Sequence, residues 1–315
     1  MRLSVALCTH NPRPACLART LAGLRAQSLP LPEWEFLLID NASTTNDAAT
    51  ADLSWHPAAR RLVEPTLGLT SARLRAIAEA SGDLLVFVDD DNVLAPDYLT
   101  TAARLAHEYP NLGAWSGQCR PEYEIPPRAD TAPYLPFLVI RELTSDRWSN
   151  YHWQDIPFGA GLCVRHMVAQ RYAAHVNADP RRRQLGRIGQ SLTSSEDVDL
   201  AVTSYEFGLG TGLFRDLVLT HLISAGRVEQ SYLSRLAENI AYSQILMNYL
   251  RQGPPAPDPH SWRRRLFKAA ITYCERLFAG PIQRRLLSDQ RRGEQRARRE
   301  IARLMAENPP AKIPS

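Results

Sequence analysis

Long hydrophobic runs are missing from this chain of 315 residues. Its longest purely apolar stretches, such as residues 84–88, are far shorter than the ~18 apolar residues that a membrane-spanning helix requires. The sequence therefore predicts no transmembrane helix. The segment after Arg2 is also too short and too polar to be the apolar region of an export signal, so we expect a cytoplasmic protein.

Cysteine is scarce and shows no pattern that indicates a metal site or a disulfide framework. The five cysteines are odd in number and widely spaced, and they form neither a Cys-x-x-Cys pair nor a Cys/His cluster with zinc spacing. They are Cys8, Cys16, Cys119, Cys163 and Cys274. We expect free thiols in a reducing compartment. The sequence also lacks a P-loop motif and a strand-linked Gly-x-Gly-x-x-Gly, so neither of these phosphate-binding loops is expected.

The formal net charge of +4 is divided unevenly along the chain. Residues 261–315 contain 14 Lys and Arg against 5 Asp and Glu, a balance of +9, which leaves −5 for residues 1–260. A basic tail on a mildly acidic body favours a separate anionic partner for the tail, such as a membrane surface. Because no recognised nucleic-acid module accompanies the charge, nucleic acid is not expected as a partner.

The basic tail contains a stretch with amphipathic helical spacing. Over residues 262–278, apolar side chains such as Trp262 and Leu266 recur on one face with arginines around them. A basic amphipathic helix can lie in a membrane interface, so we expect peripheral contact between residues 261–305 and an anionic cytoplasmic membrane face. In the alternative, the apolar face packs on the body of the protein and the arginines stay in solvent.

The N-terminal part of the chain alternates strand-like and helix-like segments. Short apolar runs at 3–8, 34–39 and 84–88 predict buried strands, and helical spacing predicts helices at 16–26 and 71–80. Strands that are apolar on both faces and separated by helices indicate a mainly parallel sheet flanked by helices, which is an α/β fold.

The remaining segments are less regular and become helical towards the end. Residues 121–136 and 181–195 are expected to form loops, and the glycines of 208–212 are expected to form a turn. The spacing predicts helices at 196–207, 231–250, 262–278 and 289–305, and a short strand at 217–219.

Three adjacent carboxylates, Asp89, Asp90 and Asp91, follow the third predicted strand at the edge where open parallel sheets bind ligands. Like charges repel, so a folded protein keeps such a triplet together where a cation or solvent compensates the charge. Oxygen ligands suit Mg²⁺ or Mn²⁺, which commonly bridges carboxylates to substrate phosphates. In the alternative, the triplet is a solvated acidic turn that caps a helix near Pro96.

Six short segments occur in an order and spacing that are together specific. In chain order they read LSVALCTHNP, LLIDNAS, GLTSARLRAI, LLVFVDDDNV, GAG and SSEDVDL. This pattern resembles the family 2 glycosyltransferases of the GT-A fold. The resemblance implies a GT-A-like catalytic domain over 1–225, with a nucleotide-binding part at 1–120 and an acceptor part at 121–225. A helical basic extension would then occupy 226–315.

The resemblance implies a nucleotide-sugar donor and assigns residues to it. Thr9, His10 and Asn11 would line the nucleotide pocket, Arg73 would approach the diphosphate, Asp89 would lie near the ribose, and Asp90 would belong to the same nucleotide-binding element. Asp40 would accept a hydrogen bond from an NH group of the base. A carboxylate in that position favours the imide edge of uracil or thymine, so a UDP- or dTDP-sugar is expected.

The resemblance also implies a general base. The pair Glu196 and Asp197 would supply it, normally through the aspartate, which takes the proton of the acceptor hydroxyl as that hydroxyl attacks the anomeric carbon. The alternative for this pair is structural, because two acids suit the positive end of a helix dipole.

The metal and the sugars have candidate residues as well. Asp91 and His221 would complete the shell of the metal ion, although a lone histidine at a strand end is more often structural. Gly159, Ala160 and Gly161 would lie near the donor and acceptor sugars, because small residues let a ligand approach the backbone.

Departures from the family pattern narrow the prediction. The Gln-x-x-Arg-Trp segment of processive polysaccharide synthases is absent from the sequence, which favours a transferase that adds one sugar. We therefore predict a metal-dependent inverting glycosyltransferase acting on a hydroxyl of a glycan or lipid-linked acceptor.

Two other functions stay open at this point. The first is a nucleotidyltransferase of similar fold, which predicts a Gly-rich N-terminal phosphate loop that LCTHNPRPA lacks. The second is a non-catalytic nucleotide-sugar-binding or assembly protein. The presence of both the acidic triplet and the later acid pair counts against it.

Overall fold

The computed structural model describes residues 2–150, 155–253 and 280–307, which form one mixed sheet flanked by helices. The strands are β1 (Leu3–Thr9), β2 (Trp34–Asn41), β3 (Ala59–Glu64), β4 (Leu84–Asp89), β5 (Asn92–Leu94), β6 (Leu112–Tyr123), β7 (Arg147–Ser149), β8 (Cys163–Arg165) and β9 (Gly210–Ile223). The helices are α1 (Pro14–Arg25), α2 (Asp47–Thr50), α3 (Leu69–Glu79), α4 (Tyr98–Glu108), α5 (His166–Ala178), α6 (Glu196–Val202), α7 (Gln230–Gln252) and α8 (Pro281–Glu307). The sheet order is β3-β2-β1-β4-β8-β6-β9-β5, with β7 paired to β9.

The first half of the sheet is parallel. β1 pairs in parallel with β2 and β4, and β2 pairs in parallel with β3. Every residue of β1 and β2 is buried, because α1 and α4 cover one face while α3 and α5 cover the other. The predicted α/β class is confirmed, and the first three predicted strands and two predicted helices agree with the structure to within two residues.

The second half of the sheet mixes strand directions. β8 is antiparallel to both β4 and β6, whereas β9 is parallel to β6 and antiparallel to β5 and β7. The antiparallel β5–β9 pair carries the chain back across the strand ends, so side chains from the C-terminal half reach the ligand-binding edge of the parallel strands.

The glycine turn predicted at 208–212 is confirmed at Gly208, which ends the preceding 3₁₀ segment with φ of 68°, and is wrong for Gly210 and Gly212. β9 begins at Gly210 and runs far beyond the short strand expected at 217–219. These two glycines serve close packing: a Cβ on Gly210 would lie 2.8 Å from the carbonyl oxygen of Ser149 on β7, and one on Gly212 would lie 2.8 Å from the ring of Phe214. Glycine spacing alone does not separate a turn from a close contact between strands.

The two predicted loops are more ordered than expected. In the first, β6 continues to Tyr123 and a 3₁₀ segment at Ala129–Leu138 buries Tyr134 among side chains of α7 and α8. In the second, the buried Arg182 donates to both carboxylate oxygens of Asp199 at 2.8 Å. The predicted helix at 196–207 is shorter than expected, because α6 ends at Val202 and continues only as a 3₁₀ segment.

The end of the described chain packs on α7. A Cβ on Gly293 of α8 would lie only 2.0 Å from the carbonyl oxygen of Glu238 on α7, so the two helix backbones approach closely there. Glu238 also accepts from Arg292 at 3.1 Å and Arg296 at 3.2 Å. The amphipathic helix predicted at 262–278 lies outside the described residues. Within 2–150, 155–253 and 280–307, no helix is both long and apolar enough to cross a membrane.

Candidate active site

The ends of three parallel strands meet at one edge of the sheet. The pairing register places Cys8 beside Asp89 and Thr9 beside Asp40, so the polar segments after β1, β2 and β4 adjoin. β5 then pairs Asn92 with His221 of β9. As a result, groups that are more than a hundred residues apart in the sequence surround a single cavity of about 270 Å³.

Most of the residues predicted for the site line this cavity. Those that do are Thr9, His10, Arg73, Asp89, Asp90, Asp91, Gly159, Ala160, Glu196, Asp197 and His221. Three of the predicted residues, Asn11, Asp40 and Gly161, are not among its lining residues. The roles assigned to all of these residues stay predictions.

The three that do not line the cavity hold its walls in place. Asn11, with φ of 47°, accepts at its side-chain oxygen from the backbone N–H of Thr44 at 2.7 Å and so ties the end of β1 to the loop after β2. Asp40 is buried and accepts from the backbone N–H of Ser43 at 3.2 Å. Gly161, with φ of 66°, accepts from the hydroxyl of Tyr98 at 2.6 Å.

The three carboxylates of the triplet lie in different environments. Burial, with the neighbouring charge of Asp91, raises the pKa of Asp90 to about 7, although the hydroxyl of Thr9 donates to its carboxylate. Burial also raises the pKa of Asp89, despite Arg73 nearby. For Asp91 the burial effect is outweighed by His221 and Arg227, which hold its pKa well below the usual range. Asp91 is therefore the member of the triplet whose ionised form the surroundings favour most.

Asp91 and His221 both face one positive group. The Nη1 atom of Arg227 lies 2.6 Å from Asp91 Oδ2 and 2.9 Å from His221 Nε2, and those two acceptor atoms are 3.4 Å apart. A guanidinium only donates, so this contact is a hydrogen bond in the neutral imidazole that carries its proton on Nδ1. A carboxylate oxygen and an imidazole lone pair turned to one cation form a donor set that also suits a divalent metal ion.

This donor set fits an ion that the substrate helps to hold. In the part of the chain that the structure describes, no group of three or more His, Cys, Asp or Glu side chains could hold a metal ion. Mg²⁺ is usually held by one or two protein carboxylates together with substrate phosphates. Asp91 and His221 are the residues that would hold the ion here, and the rest of its shell would come from a bound diphosphate and water.

Arg73 links the triplet to the later acid pair. It is 2% exposed and lies 3.2 Å from Glu196 Oε1 and 3.7 Å from Asp89 Oδ1. Gly159 makes room for it, since a Cβ there would lie 2.6 Å from Arg73 Nη2. The surrounding carboxylates raise the pKa of Arg73 despite its burial, so the guanidinium is a permanent cation on the wall of the cavity.

The two acids of the later pair differ in what they contact. Asp197 accepts from two backbone N–H groups, that of Gly159 at 2.7 Å and that of Val198 at 2.8 Å, which fix the orientation of its carboxylate. Glu196 is 3% exposed, and no group in the described part of the chain forms a hydrogen bond with its Oε2. Burial, together with the charge of Asp197, raises the pKa of Glu196 to about 7.

Two arginines that the sequence analysis missed also line the cavity, Arg187 and Arg227. Arg187 lies in the segment expected to be a loop, and Arg227 follows β9 in a 3₁₀ segment. Neither residue belongs to one of the motifs, and the chain contains so many arginines that residue type alone does not single them out. A sequence signal for Arg227 is its position six residues after His221, just beyond the strand that carries the histidine.

A comparison with protein families decides what kind of protein has this site. The model described as "Glycosyl transferase family 2" matches residues 4–171, which is more than half of the chain. The chain belongs to glycosyl transferase family 2. It is therefore a glycosyltransferase, as the sequence motifs predict. No curated protein sequence matches this glycosyltransferase significantly.

Solved structures show the same fold at low identity. S. aureus TarS 1–349 is 16% identical with a TM-score of 0.53, covering 96% of this chain and 83% of that one. The structure of TarS 1–349 in complex with UDP-GlcNAc is 16% identical with a TM-score of 0.52, covering 96% of this chain and 84% of that one. The mannosyltransferase PcManGT from Pyrobaculum calidifontis, in complex with GDP-Man and Mn²⁺, is 18% identical with a TM-score of 0.55, covering 99% and 88%.

These similarities confirm the GT-A-like fold, and at such identities they show the fold alone. The glycosyltransferase spans 40% of a longer S. aureus TarS chain.

Proposed function

We propose that this glycosyltransferase moves one sugar, with inversion at the anomeric carbon, from a nucleotide-sugar donor to a hydroxyl of a glycan or lipid-linked acceptor, and that it needs Mg²⁺ or Mn²⁺. The observation that carries the proposal is that Asp197 and the triplet Asp89–Asp91 open onto the same cavity. A base for the acceptor and a cation site for the leaving diphosphate would then serve one sugar bound in that cavity.

Asp197 is the proposed general base. As the acceptor oxygen forms a bond to the anomeric carbon, the bond to the nucleotide diphosphate breaks and the hydroxyl proton passes to the Asp197 carboxylate. The backbone N–H groups of Gly159 and Val198 hold that carboxylate in one orientation. Glu196 instead pairs with Arg73, so its proposed part is to position that guanidinium for the diphosphate.

Asp91 and His221 are the proposed metal ligands. When bound, the divalent ion would neutralise the charge that develops on the leaving diphosphate. The Mn²⁺ that accompanies GDP-Man in PcManGT supports use of a divalent ion by this fold. Arg73, Arg187 and Arg227 add positive charge around the same cavity.

The donor is proposed to be a UDP- or dTDP-sugar. Proteins of this fold accept different bases, since TarS holds UDP-GlcNAc and PcManGT holds GDP-Man. The preference proposed for this chain rests on Asp40, a buried residue that pairs with Thr9 in the sheet register, next to Asn41 on the wall of the cavity.

A screen of nucleotide sugars tests the function. With Mn²⁺ and a mixture of glycan acceptors, we expect release of UDP or dTDP and an acceptor product of inverted anomeric configuration by NMR. Retention at the anomeric carbon would contradict a single displacement. Pyrophosphate release from a nucleoside triphosphate and a sugar phosphate would establish the nucleotidyltransferase alternative, and donor binding without turnover would establish the non-catalytic one.

We further propose that the basic extension holds the enzyme on an anionic cytoplasmic membrane face near its acceptor. In the described part of the extension, α8 buries Leu286, Ala297 and Leu304 and leaves Arg298 and Arg299 exposed. Contact through α8 would therefore be electrostatic, at about 1 kcal/mol for each basic residue near the surface.

Vesicle co-sedimentation tests this membrane proposal. We expect binding to vesicles with an anionic lipid, weakening as salt shortens the Debye length from about 8 Å at physiological ionic strength, and no binding to neutral vesicles. The double variant Arg298→Gln with Arg299→Gln should bind more weakly, and Arg128→Gln, at an exposed site paired with Asp130, is the matched control. Equal recovery with neutral and anionic vesicles would contradict the proposal.

A further inference from the structure

A second cavity, of about 650 Å³, lies next to the proposed base. Two of its lining residues, Phe158 and Val198, are the chain neighbours of Gly159 and Asp197, which line the first cavity. The two cavities therefore adjoin at the segments that carry Gly159 and Asp197. A volume of several hundred cubic ångströms is the size at which proteins bind small ligands, about 300–1,000 Å³.

Arg141 is the charged group built into this cavity. Its backbone is held by paired hydrogen bonds with Cys119 of β6, at 2.9 and 3.0 Å. Its guanidinium carbon lies 3.6 Å from the centre of the Phe158 ring, and its Nη2 donates to the carbonyl oxygen of Ile156 at 3.2 Å. The Nη1 atom is buried and has no hydrogen-bond partner among the described residues. The side chain is thus fixed in place with one donor unused.

Arg141 lacks a direct ion pair within the described residues, although the carboxylates of Asp197 and Asp155 act on it through charge. The cavity holds one further arginine, Arg147, whose Nε lies 3.3 Å from Asp155. Burial and the charge of Arg147 lower the pKa of Arg141 to about 10, so it stays protonated at neutral pH. A partly buried cation with a buried, unused donor is costly unless an anion accepts from it.

Helix α7 adds a row of amides to the same cavity. Gln244, Asn248 and Gln252 line it, and their spacing of four residues puts them on one face of the helix. Each amide both donates and accepts, which is the pattern that matches hydroxyl groups. The cavity therefore presents hydroxyl-binding groups along one side and an unpaired cation on another.

We propose that this second cavity is the acceptor subsite and that it takes a polyhydroxylated acceptor bearing a phosphate or a carboxylate, with the anionic group on Arg141. The proposal rests on the proposed function, because it names the substrate class for the same reaction. The acceptor hydroxyl then reaches Asp197 from the second cavity. Arg147 supports the anion through charge, and the α7 amides bind the remaining hydroxyls.

Three probes that differ only at carbon 6 test the proposal: methyl glucoside, its 6-phosphate and methyl glucuronide. Their affinities for the full chain, saturated with UDP and Mn²⁺, are measured by ligand-observed NMR. We expect the charged probes to bind about tenfold more tightly than the neutral one, because hydrogen bonds to ionised groups are the stronger kind. Whichever charged probe binds more tightly identifies phosphate or carboxylate as the source of the anion.

Variants then assign the preference to the cavity. Arg141→Gln should remove the preference for charged probes, Arg147→Gln should weaken it, and the exposed Arg128→Gln should leave it unchanged. UDP affinity and melting temperature are measured for each variant. Because Arg147 is half exposed, we expect Arg147→Gln to fold. It therefore tests the proposal even if Arg141→Gln does not fold.

Two results would overturn the inference while the proposed function stands. One is equal affinity of the three probes for a protein that binds UDP. The other is a preference for charged probes that survives both Arg141→Gln and Arg147→Gln. Failure of the proposed function itself would give a different result, because the unmodified chain would then neither bind UDP nor transfer a sugar.

Discussion

Asp197→Asn is expected to lower kcat by about 10²-fold or more while leaving donor affinity close to that of the unmodified enzyme. The asparagine has the same shape but cannot take the acceptor proton. Asp197 accepts from two backbone N–H groups, one at each carboxylate oxygen. In the asparagine variant the side-chain NH₂ group faces one of these N–H groups and cannot accept from it, so one of the two hydrogen bonds is lost. The measurement is steady-state transfer, together with calorimetric titration of UDP.

Glu196→Gln is the matched control for Asp197. It changes the neighbouring acid in the same way, and Glu196 contacts Arg73 at 3.2 Å. We expect this variant to affect donor binding more than turnover. If Glu196→Gln produces the large loss of kcat and Asp197→Asn does not, the base is Glu196. That result would be consistent with its raised pKa of about 7, which suits a base at neutral pH.

Removal of the metal or of Asp91 is expected to cause the second large effect. UDP binding should be weak in EDTA and restored by Mn²⁺, and Asp91→Ala should remove most of the difference. Loss of a residue that only hydrogen-bonds to a metal ligand typically lowers metal affinity about 10–100-fold. Loss of the ligand itself should lower it by at least as much. Asp90→Ala should reduce metal-dependent UDP binding less. The carboxylate of Asp90 accepts from Thr9, whereas Arg227 and His221 contact Asp91. Equal UDP affinity with and without metal would remove the metal role.

Arg227 provides an internal check on that assignment. Its Nη1 contacts the two atoms that would bind the metal ion, Asp91 Oδ2 and His221 Nε2. Arg227→Gln should therefore raise the affinity for Mn²⁺ several-fold in the absence of nucleotide, measured by the electron paramagnetic resonance signal of free Mn²⁺. A lower Mn²⁺ affinity in this variant would mean that the ion does not use those atoms.

The sequence alone determined the α/β class and the edge of the sheet where the site lies. Both follow from local information: apolar runs of strand length, helical spacing between them, and polar residues such as Asp40 and Asp91 directly after the strands. Parallel strands joined by helices bring their carboxyl ends to one edge, so the position of the acidic triplet could be predicted without knowing any contact.

Only the tertiary structure decided which of those residues meet. Arg73 and Glu196 are 123 residues apart in the chain, and Asp91 and Arg227 are 136 apart. Their contacts depend on the register of β5 against β9 and on the packing of α3 and α6 against α5. No local pattern encodes that register.

The same reason explains the differences between prediction and structure. Asn11 follows β1 in a polar motif, yet its side chain binds the loop after β2. Gly210 and Gly212 have the composition of a turn, yet they let β9 pass close to its neighbours. The unused donor of Arg141 exists only because Phe158 and Ile156 are brought around it. Residue type and spacing set what each side chain can do, and the long-range packing of strands and helices determines which partner it has.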